Sequence, residues 1–476
     1  MKGHSRIELT DVRSGTVEVH EDDNLVTNGI ATYLKQSGIF EYKNVLNQNK
    51  AYPYWRSLIG GIYLLDREVT ESADNILLPS DSVVTGMGSL IANSDAVTEM
   101  GTWNAVESGM QEDGTLKLVW DFATSQANGT INSACLTSSY AGYVGNGNSN
   151  DQRYGEVFID GVSIVNEFGG MYTSNAINAP VINSKGHRTI MYADYNENCI
   201  YYIDSDSIIY SDTTKASHWG TTGNVKINKY RMCLSAIDIR QDISDKTGML
   251  LNTIDIAIPE EIINYIGTSY TNNGFSVRVD ENFDTYILFW KNGKDIGLNE
   301  SCKILKINSD YSTQVFTLTN TTDIRLQLYY LQYNFLQIHG GYLYVKGNGL
   351  YNYLVKIKLS DSTDASKVAY LASSFGNNMY TVYHHGNDIC CVSSSNINGK
   401  ITQDGKFLPM NGVGNMPYNM LPIKGNKLLY IYQLASGNSI SLYKSHQYLA
   451  TINNLQEPVV KTASKTMKVT YTITFD

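Results

Sequence analysis

Short apolar bursts recur in pairs along the second half of the chain, and this rhythm restricts the fold more tightly than any other feature. YILFW (286–290) precedes CKILKINSDYST (302–313), and GYLYVKGN (341–348) precedes YLVKIKLSDST (353–363). NDICCVSSS (387–395) precedes NGKITQDGKFLP (398–409), and NKLLYIYQL (426–434) precedes SISLYKSHQYLATI (439–452). Each pair reads as a central strand, a turn and a second strand opening at a polar corner. The step of roughly 40–55 residues is within the range of β-propeller blades. An isolated blade cannot bury both faces, whereas blades packed around an axis can. The pattern therefore predicts a propeller-like domain over residues 151–455. An irregular β-sandwich is the competing arrangement.

The C-terminus has a different texture. Met467, Val469, Tyr471, Ile473 and Phe475 alternate with Lys468, Thr470, Thr472 and Thr474, the period of a half-buried strand. This strand follows Pro458 and a polar KTASK spacer, and we expect it to complete the sheet of an N-terminal domain. That domain would span 1–150 with 456–476, and the propeller-like region would be inserted before its last strand. Near the start, Ile7 and Leu9 alternate with polar residues, a turn occupies 11–15, and Val17 and Val19 follow, a hairpin pattern. Helical spacing covers 27–38, with Thr27 or Asn28 as cap. In LKLVWDFATSQANGTINSACLTS, Leu116, Leu118, Trp120 and Phe122 share one strand face. Asn128-Gly129 is a strong turn dipeptide, so the segment reads as a hairpin. Residues 141–153 read as a linker. Pro259, Glu260 and Glu261 open a short helix that Gly267 can end.

Composition excludes several classes. Hydrophobic residues, at 42%, are too many for a disordered chain. Only 17% of residues are charged, and polarity comes from 45 Asn, 39 Gly and abundant Ser and Thr. The 36 Lys and Arg against 46 Asp and Glu give a net charge of −10, which speaks against nucleic acid and anionic membranes as partners. No apolar run is long enough to span a bilayer, and MKGHSRIELTD has no apolar core of a secretory signal. The 6 Cys are irregularly spaced without a CxxC, and are read as small hydrophobes of a reducing compartment.

No catalytic motif emerges. GxSxG, HExxH and the SxDxGxTW box of sialidase propellers are absent. GKITQDGKF (399–407) has the wrong spacing for a phosphate loop, and Phe407 stands where Ser or Thr is required, so a blade turn is expected. Asp204 with Asp206, and Asp280 with Glu281 and Asp284, are carboxylate groups that a solvated corner explains best. No catalytic residue, metal site or cofactor is expected. The aromatic content points elsewhere, with 35 Tyr against 12 Phe. Tyr329, Tyr330, Tyr333 and Tyr383, exposed on a rim, would form a sugar platform; facing inward they would be core. Trp219, between turn residues in SHWGTTG, is the candidate exposed aromatic.

Three segments carry a family resemblance: KGHSRIELTDVRSGTVEVHEDDNLVTNGI at the start, WDFATSQANGTINSACLTS in the middle and PVVKTASKTMKVTYTITFD at the end. Together they resemble tail-fibre and minor tail (receptor-binding) structural proteins of tailed bacteriophages that infect Gram-positive gut bacteria. The resemblance implies an all-β protein: a small β-sandwich-like attachment domain formed by the N-terminal segment plus the C-terminal strand, with an inserted β-propeller-like domain facing outward. It implies a virion protein made in the host cytoplasm. It also implies other tail proteins and a host glycan or protein receptor as partners, a homo-oligomer (trimer or hexamer), and adhesion without enzymatic activity. A purely architectural collar, whisker or baseplate part, and a polysaccharide depolymerase, are the alternative functions.

Overall fold

A computed structural model describes residues 2–32, 58–79, 82–90, 98–138, 158–163, 188–204, 210–212, 218–220, 223–231, 250–266, 274–291, 295–327, 336–347, 353–369, 379–385, 388–393, 398–401, 407–410, 420–433, 440–445 and 448–474. The fold is all-β. The chain divides into two compact units, one comprising 1–160, 409–415 and 444–476, the other 161–408 and 416–443. No helix among the described residues is long and apolar enough to cross a membrane.

The first unit is a two-sheet sandwich built from segments far apart in sequence. Its longer strands are β1 (Lys2–Asp11), β2 (Val17–Val26), β3 (Gly61–Leu65), β4 (Val84–Ser89), β5 (Leu116–Phe122), β6 (Gly129–Thr137), β7 (Asn454–Lys461) and β8 (Lys465–Thr474). One sheet runs β2-β1-β8-β5, flanked by Thr451–Ile452 beside β2 and by Thr102–Trp103 and Gly109–Met110 beside β5. The other runs β7-β6-β3-β4. The C-terminal strand is thus central: Val469 lies opposite Ile7 on one side and Trp120 on the other. Its alternation puts Met467, Val469, Tyr471 and Ile473 in the core, and burying side chains of this size contributes about 1.5–3 kcal/mol each. The one polar tip among them is satisfied. The Tyr471 hydroxyl accepts from the Asn24 amide and shares a 2.6 Å hydrogen bond with the Thr451 hydroxyl.

Two local expectations need correction. Residues 116–137 do not form a hairpin, because β5 and β6 belong to different sheets. Both edges of β5 are taken, by β8 on one side and the two short strands on the other, so the chain after Phe122 crosses to the second sheet. The positive φ angles fall at Ala127 (51°) and Gly129 (147°), so the crossing does not use an Asn-Gly hairpin turn. In the first hairpin, Ile7 and Leu9 are buried, but Val17 and Val19 on β2 are exposed. In the expected first helix, Gly29 begins the helical turn and its N–H donates to the Thr27 hydroxyl at 3.1 Å, making Thr27 the cap. The expected linker over 141–153 lies outside the described residues.

The second unit, completed by strands shared at its boundaries, contains five four-stranded blades among the described residues. Blade 1 is Arg188–Asp194, Cys199–Asp204, Asn224–Arg231 and Leu250–Ala257. Blade 2 is Gly274–Val279, Thr285–Trp290, Ser301–Ile307 and Thr313–Thr319. Blade 3 is Leu336–His339, Tyr342–Lys346, Tyr353–Lys358 and Ala365–Ala369. Blade 4 is Met379–His385, Asp388–Ser393, Asn398–Ile401 and Phe407–Met410. Blade 5 is Met420–Lys424, Asn426–Gln433 and Ile440–Ser445, with Phe158–Ser163 as its outer strand. The first strands of successive blades are neighbours in cyclic order. Blade 5 closes on blade 1 through parallel pairing of Ile423 with Ala193 and Lys424 with Asp194. The outer strand 158–163 comes from the opposite end of the insert, so the closing blade is stitched from both ends. This is the connectivity of a five-bladed propeller.

Each expected burst pair is the middle strand pair of a blade. The blades pack face to face. One face of blade 2, with Ile287, Phe289, Leu305 and Ile307, meets Tyr201, Ile203 and Val225 of blade 1. Its other face, with Leu288, Trp290 and Ile304, meets Ile338, Leu343 and Val355 of blade 3. Helix α1 (Glu260–Ile266) seats Ile262 and Ile266 in the core shared by blades 1 and 2, with the Pro259 carbonyl accepting from Ile262 N at 2.9 Å.

Candidate functional site

The turns joining first to second strands, and third to fourth strands, open at the same end of a blade. In blade 1 the first turn is closed by Asp194, whose Oδ1 accepts from Asn196 N at 2.9 Å and Glu197 N at 3.0 Å. Asp280 does the same in blade 2, accepting from Asn282 N at 2.9 Å and Asp284 N at 3.0 Å. The two turns share the sequence pattern Asp-x-Asn, at Asp194-Tyr195-Asn196 and Asp280-Glu281-Asn282. The group 280–284 is therefore no solvated corner. Asp280 is buried, and burial raises its pKa. Asp284 pairs with Lys306 at 2.7 Å. Glu281 faces His339 Nδ1 at 3.1 Å and accepts from Gly340 N at 3.0 Å, tying the turns of blades 2 and 3 together. Blade 3 instead turns tightly through Gly340 and Gly341, whose φ angles of 57° and 78° are ones that side-chain-bearing residues resist.

An aromatic and ionic rim lies on this end of blades 1 and 2. Tyr192 and Tyr201 stack with centroids 4.7 Å apart, and Phe283 meets Tyr192 edge-on at 5.5 Å. Glu197 stands beside them. Its Oε2 accepts from the Tyr201 hydroxyl at 2.6 Å and from Lys229 Nζ at 2.6 Å, while Lys229 also sits 5.5 Å from the Tyr201 ring centroid. The Lys229 ammonium, and after it the Tyr201 hydroxyl, hold the Glu197 carboxyl down at about 2, so it is an acceptor at any physiological pH. Burial, and then the bond to Glu197, push the Tyr201 hydroxyl far up. Burial pushes the Cys199 thiol up to about 12. Both therefore stay protonated at neutral pH. On the far side, Lys424 Nζ lies 3.8 Å from Asp194 Oδ2 and 6.0 Å from the Tyr192 ring.

Tyr311 completes the rim from the turn between the third and fourth strands of blade 2. It is 40% exposed and takes a φ of 66°. The left-handed conformation costs an aromatic residue about 1–2 kcal/mol. The turn enforces it: Asn308 N donates to Ser312 O at 2.9 Å, Tyr311 N to Asn308 O at 2.9 Å, and Asp310 Oδ1 accepts from Ser312 N at 2.9 Å. Burial, ahead of other influences, raises the pKa of the Tyr311 hydroxyl. Phe283 also holds a positive φ, 65°, so two adjacent turns present aromatic side chains from strained backbones. Tyr192 and Tyr201 are themselves buried in the core shared by blades 1 and 2, so this end offers the exposed Tyr311 ring and the Glu197 carboxylate with one oxygen engaged.

The expected site residues fall elsewhere. Trp219 is the middle residue of His218–Gly220, paired with Ser211 in an excursion between the second and third strands of blade 1, and its side chain lies outside the described residues. Tyr383 is on the first strand of blade 4, opposite Cys390, and its side chain is likewise outside them. Tyr329, Tyr330 and Tyr333 lie outside the described residues altogether. The flanks of GKITQDGKF belong to the neighbouring third and fourth strands of blade 4, and the expected turn at 402–406 lies outside the described residues. Among the described residues no group of three His, Cys, Asp or Glu is placed to hold a metal ion. The rim residues carried a signal that single-residue inspection missed, the repeated Asp-x-Asn turn beside aromatic residues.

No protein-family model matches the chain, and no curated protein does. Among solved structures, a protein of unknown function from Bacteroides thetaiotaomicron VPI-5482 is 8% identical, over 54% of this chain and 75% of that one, with a TM-score of 0.24. The WD40 β-propeller domain of Doa1 is 10% identical, over 52% and 86%, with a TM-score of 0.22. The RRP9 WD40 repeats are 8% identical, over 56% and 99%, with a TM-score of 0.22. At these scores the blade arrangement rests on the strand order described above and not on the likenesses.

Proposed function

We propose that this chain is a structural protein of a bacteriophage tail, its sandwich serving attachment to the virion and its propeller serving adhesion to the host surface. The observation that carries this reading is the convergence of the three family-like segments. The opening segment forms β1 and β2, the middle one β5 and β6, and the closing one β7 and β8, all within a single sandwich. An attachment module would require such constancy, while the inserted propeller, which carries none of these motifs, is free to vary with the receptor. The aromatic rim supplies a surface of the kind that weak, many-copy adhesion uses.

Two measurements test the reading. Gold-labelled antibody against the chain should decorate the tails of intact particles. Saturating host cells with the purified chain should block adsorption of those particles. Unlabelled tails together with undiminished adsorption would refute it.

A further inference from the structure

We propose that the open edge of β2, from Val17 to Glu21, takes up an extended segment of another protein as an added strand, with apolar side chains against Val17 and Val19 and a Lys or Arg against Glu21. This rests on the attachment reading of the sandwich and names the chemistry of its partner.

On one side β2 pairs with β1 from Val17 opposite Thr10 to Asn24 opposite Gly3. On the other side its partners are Ile452 and Thr451, opposite Leu25 and Val26. The chain then passes to the second sheet, where Asn454 lies opposite Ser133, and the rest of the β2 edge has no neighbouring strand among the described residues. Strand parity identifies the groups left over, because alternate residues turn N–H and C=O to opposite sides. Thr16 O accepts from Asp11 N at 3.0 Å on the β1 side, and Thr27 N donates to Ala450 O at 3.0 Å on the open side. Val17, Val19, Glu21 and Asp23 therefore face the open side. Asp23 N is taken by Asp22 Oδ1 at 2.8 Å. The backbone groups of Val17, Val19 and Glu21 remain for an incoming strand.

Side chains define what that strand must carry. Val17 and Val19 are 52% and 43% exposed, and β2 has none of the prolines, lysines or bulges that keep a free edge unpaired. The edge is also acidic. Arg6 is shared by Glu8 and Glu21, and Lys465 pairs with Glu18 at 2.6 Å. Asp23 pairs with His4 at 3.0 Å, and among the described residues neither it nor Asp22 faces a Lys or Arg. A basic segment matches this charge. A second copy does not: self-pairing over the whole edge would set Val17 against Asp23, Val19 against Glu21 and Glu18 against Asp22. An antiparallel segment that fits reads, from its N-terminus, basic, any, apolar, any, apolar. Its main-chain bonds supply affinity and its alternate side chains specificity.

The test titrates the full chain with the end-blocked peptide Thr-Lys-Thr-Val-Thr-Val-Thr and with its counterpart carrying Glu for Lys. The expected result is that the Lys peptide binds more tightly, and that residue-level hydrogen exchange slows at the amides of Val17, Val19 and Glu21 but not at those of Glu18 and His20. Val19→Pro should weaken binding about tenfold or more while sparing the β1 pairing, since the Val19 N–H points away from β1. Val19→Lys replaces it if that variant does not fold. Glu21→Lys should weaken the Lys peptide about fivefold and favour the Glu peptide. No uptake of either peptide overturns the inference. So does uptake that leaves those three amides unprotected, uptake indifferent to the Val19 and Glu21 substitutions, or a chain dimer that Val19→Pro abolishes without peptide uptake. If the edge fails while antibody still labels tails, the virion reading stands and only this docking surface falls. If the peptide binds as expected while tails stay unlabelled, the edge stands and the virion reading falls.

Discussion

The sandwich and the propeller solve the burial problem in opposite ways. In the sandwich, the central strand β8 is held between strands that precede it by more than 300 residues, and its core face is assembled from all three segments. Every contact that fixes its register is long-range. In the propeller, each blade is a succession of hairpins between near neighbours, and long-range order enters through blade-on-blade packing and the closing blade. The sandwich is therefore intolerant of change along its strands, whereas the propeller can vary its turns while keeping its strands. Variable turns on a constant packing scheme would suit the adhesion proposed above.

The largest expected effect that separates the two regions comes from Val469→Asp. Val469 is fully buried between Ile7 and Trp120, and an unpaired carboxylate there costs more than about 4 kcal/mol. Limited proteolysis of the full chain should then cut within 1–138 and 448–476 while sparing the strands of blades 2 and 3. Next is Gly88→Ala. A Cβ at this position would stand 2.4 Å from Trp120 Cδ1 in the same core, and overpacking of this kind costs about 1–3 kcal/mol. Thermal melting should register it in the sandwich transition alone.

Two titrations sharpen the comparison. Lys461 is buried, donating to Ala123 O at 2.9 Å, Asn128 Oδ1 at 3.0 Å and Thr124 O at 3.4 Å, and burial pulls its pKa down to about 8. The unfolded chain binds this proton more tightly, so stability rises with pH above 8. Up to pH about 9.5 the gain is about 2 kcal/mol, and Lys461→Met should remove that slope from denaturant midpoints. In the propeller, burial raises the Glu281 pKa, but the bond from His339 leads the interactions that outweigh it and hold it at about 2. Its contribution is present above the ordinary glutamate pKa and is lost as pH falls toward 2. Glu281→Gln should flatten that acid limb by about 1 kcal/mol. Smallest is Tyr311→Ala, which should leave stability within about 0.5 kcal/mol by denaturant midpoint.

Much of this architecture is legible in residue order, for physical reasons that differ between elements. The strict alternation from Met467 to Ile473 marks β8 because one face is buried and the other is not. Blades 2 to 5 announce themselves because their middle strands are separated by short connections. Blade 1 escapes notice because the hairpin Tyr210–Asp212 with His218–Gly220 is lodged between its second and third strands and breaks the rhythm. The 116–137 segment misleads because both of its strands alternate and a turn dipeptide joins them. Nothing local reveals that β8, far downstream, claims the edge of β5. The rim is the least legible part: Tyr192 lies on a strand of blade 1, Glu197, Phe283 and Tyr311 lie on three turns of two blades, and the repeated Asp-x-Asn marks only two of those turns.

Hydrogen–deuterium exchange on the full chain tests the shared-sandwich claim most directly. Amides of 2–11, 116–122 and 465–474 should exchange as one protected group and lose protection together in Val469→Asp, while those of 285–290 and 301–307 stay protected. Free exchange of 465–474 in the parent protein, or collapse of protection in the blade strands together with the sandwich, would contradict it.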